Sequence, residues 1–233
     1  MPEQIAAQLE QLVDSGVQFL AFDEYCRSSA VHAVVRAPQV LLTLDHPSAV
    51  ALEALWPVLS RLRIPPVLFV TTGAVGRRRR LLLPFGPAPD ESLTWAELTD
   101  LRRGGASIQC HGHTGARLTQ LPPEIAFGDL MRSRREVELR VGANPVALSY
   151  PGGAVDEVVA ELAAKAGFEL GFTRSRNVRK TAAATGSGAR ALVLPRHRMQ
   201  GGGRTGLAAR LGGMDGAALR AGAAAVGSPE AEA

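Results

Sequence analysis

The sequence has few cysteines, no long apolar run and no large excess of charge of one sign. Its two cysteines, Cys26 and Cys110, form neither a C-x-x-C pair nor a disulfide framework, so we expect both to be small buried apolar residues. No stretch approaches the 18 consecutive apolar residues of a membrane-spanning helix. The N-terminus lacks the basic segment and apolar stretch of a signal peptide. We therefore expect a cytoplasmic location and no membrane partner.

The composition is that of an ordinary folded domain. Hydrophobic residues make up 46% of the 233 residues and charged residues 21%, which is far from the range of disordered chains. The net charge of +4 suits an anionic ligand without requiring one. The arginine run at residues 77–80 predicts a solvated loop, or a contact for a phosphate or polyanion. Because no aromatic residues are interleaved with it, we expect no nucleic-acid partner.

Apolar runs typical of buried parallel strands alternate with helical patterns along most of the chain. A Thr94–Glu97 capping box marks the start of one helix, and residues 23–38 have no regular pattern. The alternation predicts a parallel sheet or barrel with right-handed crossovers. The predicted domain covers residues 1–199, and the Gly/Ala-rich residues 200–233 are expected to form a partly helical or disordered tail. Strands are predicted at 17–22, 39–44, 67–71, 106–110, 146–150, 169–173 and 191–194.

Unusual polar residues follow three of these strands, at the end of a parallel sheet where ligands bind. They are Asp45 and His46, His111 and His113, and Arg196 and His197.

The spacing of His111 and His113 predicts a chelating pair, because alternate side chains of an extended segment point to the same side. His46 is the obvious third ligand, and three imidazoles with an open position are typical of catalytic zinc. Asp45 is placed to accept the proton of the bound water. The alternative is that the histidines are polar surface or turn residues with no metal.

A second element of the predicted site is the loop that begins at Tyr150. Its residues Pro151, Gly152 and Gly153 allow the backbone to approach a ligand closely, although turn formation alone also explains the glycines. Tyr150, Pro151 and Gly152 are therefore candidate substrate-binding residues, and Arg196, which follows another predicted strand, is a further candidate.

Four segments, in order, resemble the polysaccharide deacetylase family, in its chitooligosaccharide deacetylase-like branch of carbohydrate esterases. LLTLDHPSAVALEALWPVLSRLRIPPVLFVTTG (41–73) is similar to the first family block, which begins T-F-D-D-G. LTWAELTDLRRGGASIQCHGHTGARLTQL (93–121) resembles the second block, and ALSYPGGAVDEVVAELAAKAGFELGFT (147–173) resembles the Tyr-Pro-x-Gly block. LPRHRM (194–199) looks like the Leu-Pro-Arg ending of one branch.

The resemblance implies a distorted, incomplete (β/α) barrel and an enzyme that removes acetyl groups from N-acetylated sugars with a divalent metal. By position, the family's base falls on Asp45 and its first histidine ligand on His111. The chain departs from the family at the other two ligands, since the metal-binding aspartate falls on His46 and the second histidine on Gly115. The arginine that precedes the Tyr-Pro block in many members is missing, and Arg196 is expected to supply positive charge nearby.

The resemblance also leaves the first barrel strand unaccounted for: it is absent, or the chain begins after it. Two functions remain open. One is a metal-dependent hydrolase, using zinc, that removes an acetyl or similar acyl group from an amino sugar, an oligosaccharide or a related small molecule. The other is a catalytically inactive relative that binds a carbohydrate or a partner protein. The oligomeric state does not follow from the sequence.

Overall fold

The computed structural model of this protein describes residues 2–29, 38–83, 86–174, 191–198 and 223–227. The helices of these residues are α1 (Pro2–Asp14), α2 (Phe22–Ser29), α3 (Ala49–Leu62), α4 (Trp95–Arg103), α5 (Pro123–Val141) and α6 (Glu157–Lys165). The strands are β1 (Gln18–Phe19), β2 (Gln39–Val40), β3 (Leu42–Asp45), β4 (Val67–Val70), β5 (Arg78–Leu83), β6 (Gly86–Glu91), β7 (Ser107–Cys110), β8 (Ala147–Ser149), β9 (Leu170–Thr173), β10 (Ala191–Arg198) and β11 (Ala223–Gly227).

Six parallel strands form the body of the barrel, in the order β3-β4-β7-β8-β9-β10. The short strand β11 lies between β10 and β3, is parallel to both, and closes the ring of backbone pairing. The predicted distorted, incomplete (β/α) barrel is confirmed, with fewer strands than the eight of a complete one. Strands β1 and β2 pair with each other outside this ring, and so do β5 and β6. No strand before β3 belongs to the barrel in the part of the chain that the structure describes.

Several local predictions are wrong. The run at Arg78–Arg80 belongs to strand β5 of an antiparallel hairpin, where a loop was predicted. The sequence shows no regular pattern over residues 23–38, but helix α2 forms most of the described part of that segment. Strand β10 extends to Arg198, so Arg196 lies within a strand and not after it. Residues 223–227, in the predicted helical or disordered tail, form β11. The domain boundary at residue 199 stays a prediction.

The apolar residues form two core layers because the side chains of each strand alternate between the two faces. One layer lies between the barrel and its helices and includes Leu42, Leu68 and Leu148. The other fills the inside of the barrel and includes Val67, Phe69 and Phe172. On β3 the alternation assigns Thr43 and Asp45 to the inner face, opposite to Leu42 and Leu44.

Helices α3 and α4 begin at residues whose side chains cap the first turn. The side chain of Ser48 accepts a hydrogen bond from the amide of Ala51 at the start of α3. Thr94 and Glu97 form the predicted capping box at the start of α4. Among the described residues, no helix has the length and apolar character to cross a bilayer.

Strand β9 is packed so closely against its neighbours that it has room only for glycine at position 171. A Cβ at Gly171 would collide with the carbonyl oxygen of Leu192 and would lie 2.6 Å from the hydroxyl of Tyr150. We expect Gly171→Ala to lower the free energy of unfolding by about 2 kcal/mol or more, measured by urea denaturation, because the barrel wall must shift.

The matched control is Gly128→Ala in α5, where a Cβ would meet no atom within 4 Å. That change should raise the free energy of unfolding by about 0.5 to 1 kcal/mol, since alanine is the better helix former. Equal effects of the two substitutions would contradict the close packing at Gly171.

Candidate functional site

A bidentate ion pair between Asp45 and Arg196 lies at the carboxyl end of the barrel strands. Nη1 of Arg196 donates to Oδ1 of Asp45 at 2.6 Å, and Nη2 donates to Oδ2 at 2.5 Å. The side chain of Arg196 is 1% exposed and that of Asp45 is 13% exposed. Arg196 was predicted to supply positive charge near the Tyr-Pro block, and its guanidinium group bonds to Asp45 and to Ser149, the residue that precedes Tyr150.

Hydroxyl groups and an imidazole surround this ion pair. Arg196 also donates to Oγ of Ser149 at 2.8 Å and to Oγ1 of Thr43 at 3.3 Å. His111 is bonded through Nδ1 to the carbonyl oxygen of Ser149 at 2.8 Å. We call Thr43, Asp45, His111, Ser149 and Arg196 the barrel-end network. Its members come from β3, the end of β7, β8 and β10.

The hydrogen bond to the Ser149 carbonyl shows which ring nitrogen of His111 carries a proton. A carbonyl oxygen can only accept, so Nδ1 is protonated, and in the neutral form of this imidazole the lone pair lies on Nε2. This is the tautomer of a metal ligand or of a proton acceptor at Nε2. The Nε2 atom itself is buried.

The barrel-end network keeps Asp45 ionised. Burial by itself raises the pKa of Asp45, but the positive charge of Arg196, the nearby His111 and the hydrogen bonds from Arg196 and Ser149 outweigh it and lower the pKa to about 2. Asp45 is therefore a carboxylate at neutral pH, with a low affinity for a proton.

The side chain of His113 does not enter this network, which is contrary to the prediction. Its Nδ1 lies 2.9 Å from Oγ1 of Thr72 and 3.5 Å from Oε2 of Glu136 in α5. The reason is Gly112, whose φ of +73° interrupts the extended backbone that would place both imidazoles on the same side.

Asp129 of α5 holds the loop that carries the two histidines. Its carboxylate accepts hydrogen bonds from the amides of His113 at 2.7 Å and Thr114 at 2.8 Å, and from Oγ1 of Thr114 at 2.6 Å. A Cβ at Gly112 would lie 2.7 Å from Oδ1 of the same carboxylate. Gly112 and Asp129 together fix the turn that separates His111 from His113.

His46 also departs from its predicted position. It follows Asp45 directly with a φ of +45°, and its amide donates to the carbonyl oxygen of Phe69. Its side chain lines a small cavity of mostly apolar residues together with Pro47, Val70, Thr71, Val75, Ser92, Leu93 and Leu98. Asp45 faces the inside of the barrel, whereas His46, the next residue, contributes to this cavity.

The residues of the barrel end do not fit the metal that the sequence predicted. Within the described residues, which include His46, His111 and His113, no group of three or more His, Cys, Asp or Glu side chains is placed to hold a metal ion. The predicted convergence of the three imidazoles is therefore wrong. Gly115, at the position of the family's second histidine ligand, has a φ of +77°. A Cβ there would lie 3.2 Å from Cγ2 of Thr71, so another residue would strain the loop.

Part of the loop that was predicted to bind substrate is buried and bonded to the barrel strands. Tyr150 is fully buried, its amide donates to the carbonyl oxygen of Phe172, and its hydroxyl donates to that of Leu192. Pro151 is buried as well, whereas Gly152 is partly exposed beneath the guanidinium group of Arg117. In this conformation, Gly152 is the residue of the loop that a ligand can reach.

Three participants of the site, Thr43, Ser149 and Asp129, were not predicted from the sequence. Ser149 lies on the inner face of β8 together with Ala147. The alternation of side chains between the two faces of that strand could have identified Ser149 as an inward-facing residue. Asp129 lies on the buried face of α5 with Ala126, Leu130 and Ser133. A carboxylate on the apolar face of a helix is the signal that could have found it.

The ion pair predicts a specific dependence of stability on pH. The pKa of Asp45 is about 2 in the folded protein and 3.8 when unperturbed, so its contribution is complete above pH 4 and is lost as the pH falls towards 2. We expect the difference in unfolding free energy between the wild type and Asp45→Asn to shrink by about 2 kcal/mol between pH 5 and pH 2.

Urea denaturation at a series of pH values measures this difference. The control is Asp100→Asn, which removes a carboxylate that pairs with Arg103 on the surface. Its difference from the wild type should stay nearly constant, because exposed ion pairs contribute little. A constant difference for Asp45→Asn would contradict the strength of the buried pair.

Three comparisons relate this chain to known proteins. The family model of polysaccharide deacetylases matches residues 33–171. A deacetylase of Streptococcus pyogenes, PplD in complex with acetate, has a similar structure with a TM-score of 0.63 and 24% identity, over 74% of this chain and 72% of that one. IcaB from Ammonifex degensii gives a TM-score of 0.65 and 22% identity, over 74% and 75%. No curated protein sequence matches.

At identities below 25% these solved structures demonstrate the fold alone. The family match, in contrast, covers more than half of the chain, from before β3 to the middle of β9. It supports a deacetylase function at the level of the family, while the metal dependence and the substrate of this chain are matters for a proposal. The chain belongs to the polysaccharide deacetylase family.

Proposed function

We propose that this protein binds an acylated amino sugar or oligosaccharide and does not hydrolyse it by the metal-dependent route of its family. The observation that carries the proposal is the state of the three ligand positions. His46 stands in place of the family's aspartate and contributes to a mostly apolar cavity, Gly115 has no side chain, and Nε2 of His111 is buried. Two of the three ligands are thus missing.

The proposed ligand class comes from the family and from the position of the retained residues. The solved structure from Streptococcus pyogenes is that of a deacetylase in complex with acetate. In this chain, Gly152 and Arg117 are partly or fully exposed next to the loop that carries Gly115. Ligands of (β/α) barrels bind at the carboxyl ends of the strands, which is where these residues lie.

Hydrolysis of the acyl group is the second candidate, and a specific observation favours it. Asp45, at the position of the family's base, is ionised and close to His111, whose Nε2 bears a lone pair. An imidazole of this kind can accept a proton from a water molecule that attacks an acyl carbon, if the barrel end opens to admit it. The acyl group would leave as a carboxylic acid and the sugar as an amine.

One experiment separates the two candidates. We expect oligomers of N-acetylglucosamine to bind in titration calorimetry, and we expect no release of acetate above the enzyme-free blank in proton NMR, with or without added zinc. The wild type is compared with Asp45→Asn and with the exposed control Asp100→Asn.

Acetate release by the wild type that is lost in Asp45→Asn but kept in Asp100→Asn would contradict our proposal and establish hydrolysis. Absence of both binding and release would contradict a function on neutral amino-sugar oligomers.

A further inference from the structure

Two exposed arginines pack against the pair of glycines that follows β8. Arg117 lies in the loop after β7 and Arg174 follows β9 directly, and these two strands are the neighbours of β8 in the barrel. A Cβ at Gly152 would lie 2.9 Å from Nε of Arg117, and a Cβ at Gly153 would lie 2.8 Å from Cβ of Arg174. We call these four residues the arginine rim.

The glycines of the arginine rim leave room for the arginines. Gly152 has a φ of +66° and Gly153 a φ of +69°, in the left-handed region where a residue with a side chain is strained. A Cβ at either position would come within 3 Å of the neighbouring arginine. The side chain of Arg117 can therefore lie directly on the backbone of Gly152, which is the residue of this loop that a ligand can reach.

The loop that carries Arg117 is held on both sides of this residue. Asp129 accepts hydrogen bonds from the amide and the hydroxyl of Thr114, and the amide of Ala116 donates to the same hydroxyl. On the other side, Leu118 is buried in the apolar core. The backbone at Arg117 is thus fixed before a ligand arrives, so a ligand does not have to order the loop.

The positive charge of Arg117 is not balanced by the carboxylates around the barrel end. Arg117 forms no ion pair within the described residues, and Asp45 is already neutralised by Arg196. The carboxylate that comes next in the sequence after the glycines is that of Asp156. It caps helix α6, since its Oδ1 accepts a hydrogen bond from the amide of Val159 at 2.8 Å.

A guanidinium group in this position is suited to an anionic group of a ligand. Its N–H donors form a planar fork that matches two oxygens of a phosphate or a carboxylate. Such charge-assisted hydrogen bonds are about twice as strong as those between neutral groups. The net charge of +4 of the whole chain also favours the approach of an anion.

We propose that the ligand of this barrel end is an N-acylated amino sugar that carries an anionic group, and that Arg117 binds this group. The inference rests on the proposed function, because it specifies the class of ligand for the same site. Phosphate and carboxylate share the required chemistry. Arg117 therefore determines specificity for a charged sugar over a neutral one.

Titration calorimetry of the wild-type protein at low ionic strength tests this preference. The probes are N-acetylglucosamine, its 6-phosphate, and N-acetylmuramic acid, which carries a carboxylate. We expect at least one acidic sugar to bind about five to ten times more tightly than the neutral sugar. The preference should shrink when salt is added, because the contact is exposed and is screened. Acidic sugars that bind no more tightly than the neutral sugar, or not at all, would overturn the proposal.

Two substitutions that remove the same charge locate the effect. Arg117→Gln acts at the arginine rim, whereas Arg140→Gln acts in the last turn of α5, which runs from the carboxyl end of β7 to the amino end of β8. We expect the preference for the acidic sugar to fall to nearly one in Arg117→Gln and to persist in Arg140→Gln. Arg117→Lys should retain part of it, since lysine keeps the charge but not the planar fork.

An equal loss in Arg117→Gln and Arg140→Gln would attribute the preference to the net charge of the chain and would overturn the proposal. Inorganic phosphate is the last probe. If it binds as tightly as the sugar phosphate, the site recognises an anion without a sugar, and the proposal is also wrong. Neutral oligomers that bind with no preference for acidic sugars would contradict this inference alone, whereas acetate release would contradict only the proposed function.

Discussion

The barrel end of this protein depends on the two-point contact between the carboxylate of Asp45 and the guanidinium group of Arg196. The contact joins residues that are far apart in the sequence and brings them together where the parallel strands finish. Such a pair is favourable in a protein interior only if the remaining polar atoms around it are also satisfied. The hydroxyl groups of Ser149 and Thr43 provide this, and so the side chains of three strands are held in one arrangement.

This arrangement explains how a family site can be partly retained. The base position and the first histidine are still present as Asp45 and His111, and both have acquired partners within the protein. The other two ligand positions carry different residues, which fit the local backbone conformation. Gly115 has a left-handed conformation beside Thr71, and His46 contributes to a cavity of mostly apolar residues. The scaffold persists while the chemistry of its strand ends is altered.

The sequence predicted the order of strands and helices well because each element has a strong local signal. QVLLTL and the run at Val67–Val70 read as buried strands, and the Thr94–Glu97 capping box was visible directly. The failures at the site have local causes. The prediction for His111 and His113 assumed an extended backbone, and the left-handed turn at Gly112, held by Asp129, is a tertiary effect. Strand β11 is rich in alanine, which gives no strand signal.

The position of β11 bears on how the barrel is completed. Asp45 at the end of β3 pairs in register with Gly227, which follows it by 182 residues in the sequence. Until residues 223–227 are in place, the facing backbone groups of β3 and β10 lack their partners, and two unpaired strand edges can recruit other chains. Ring closure therefore requires β11, which follows the other barrel strands in the sequence and covers the edges of β3 and β10.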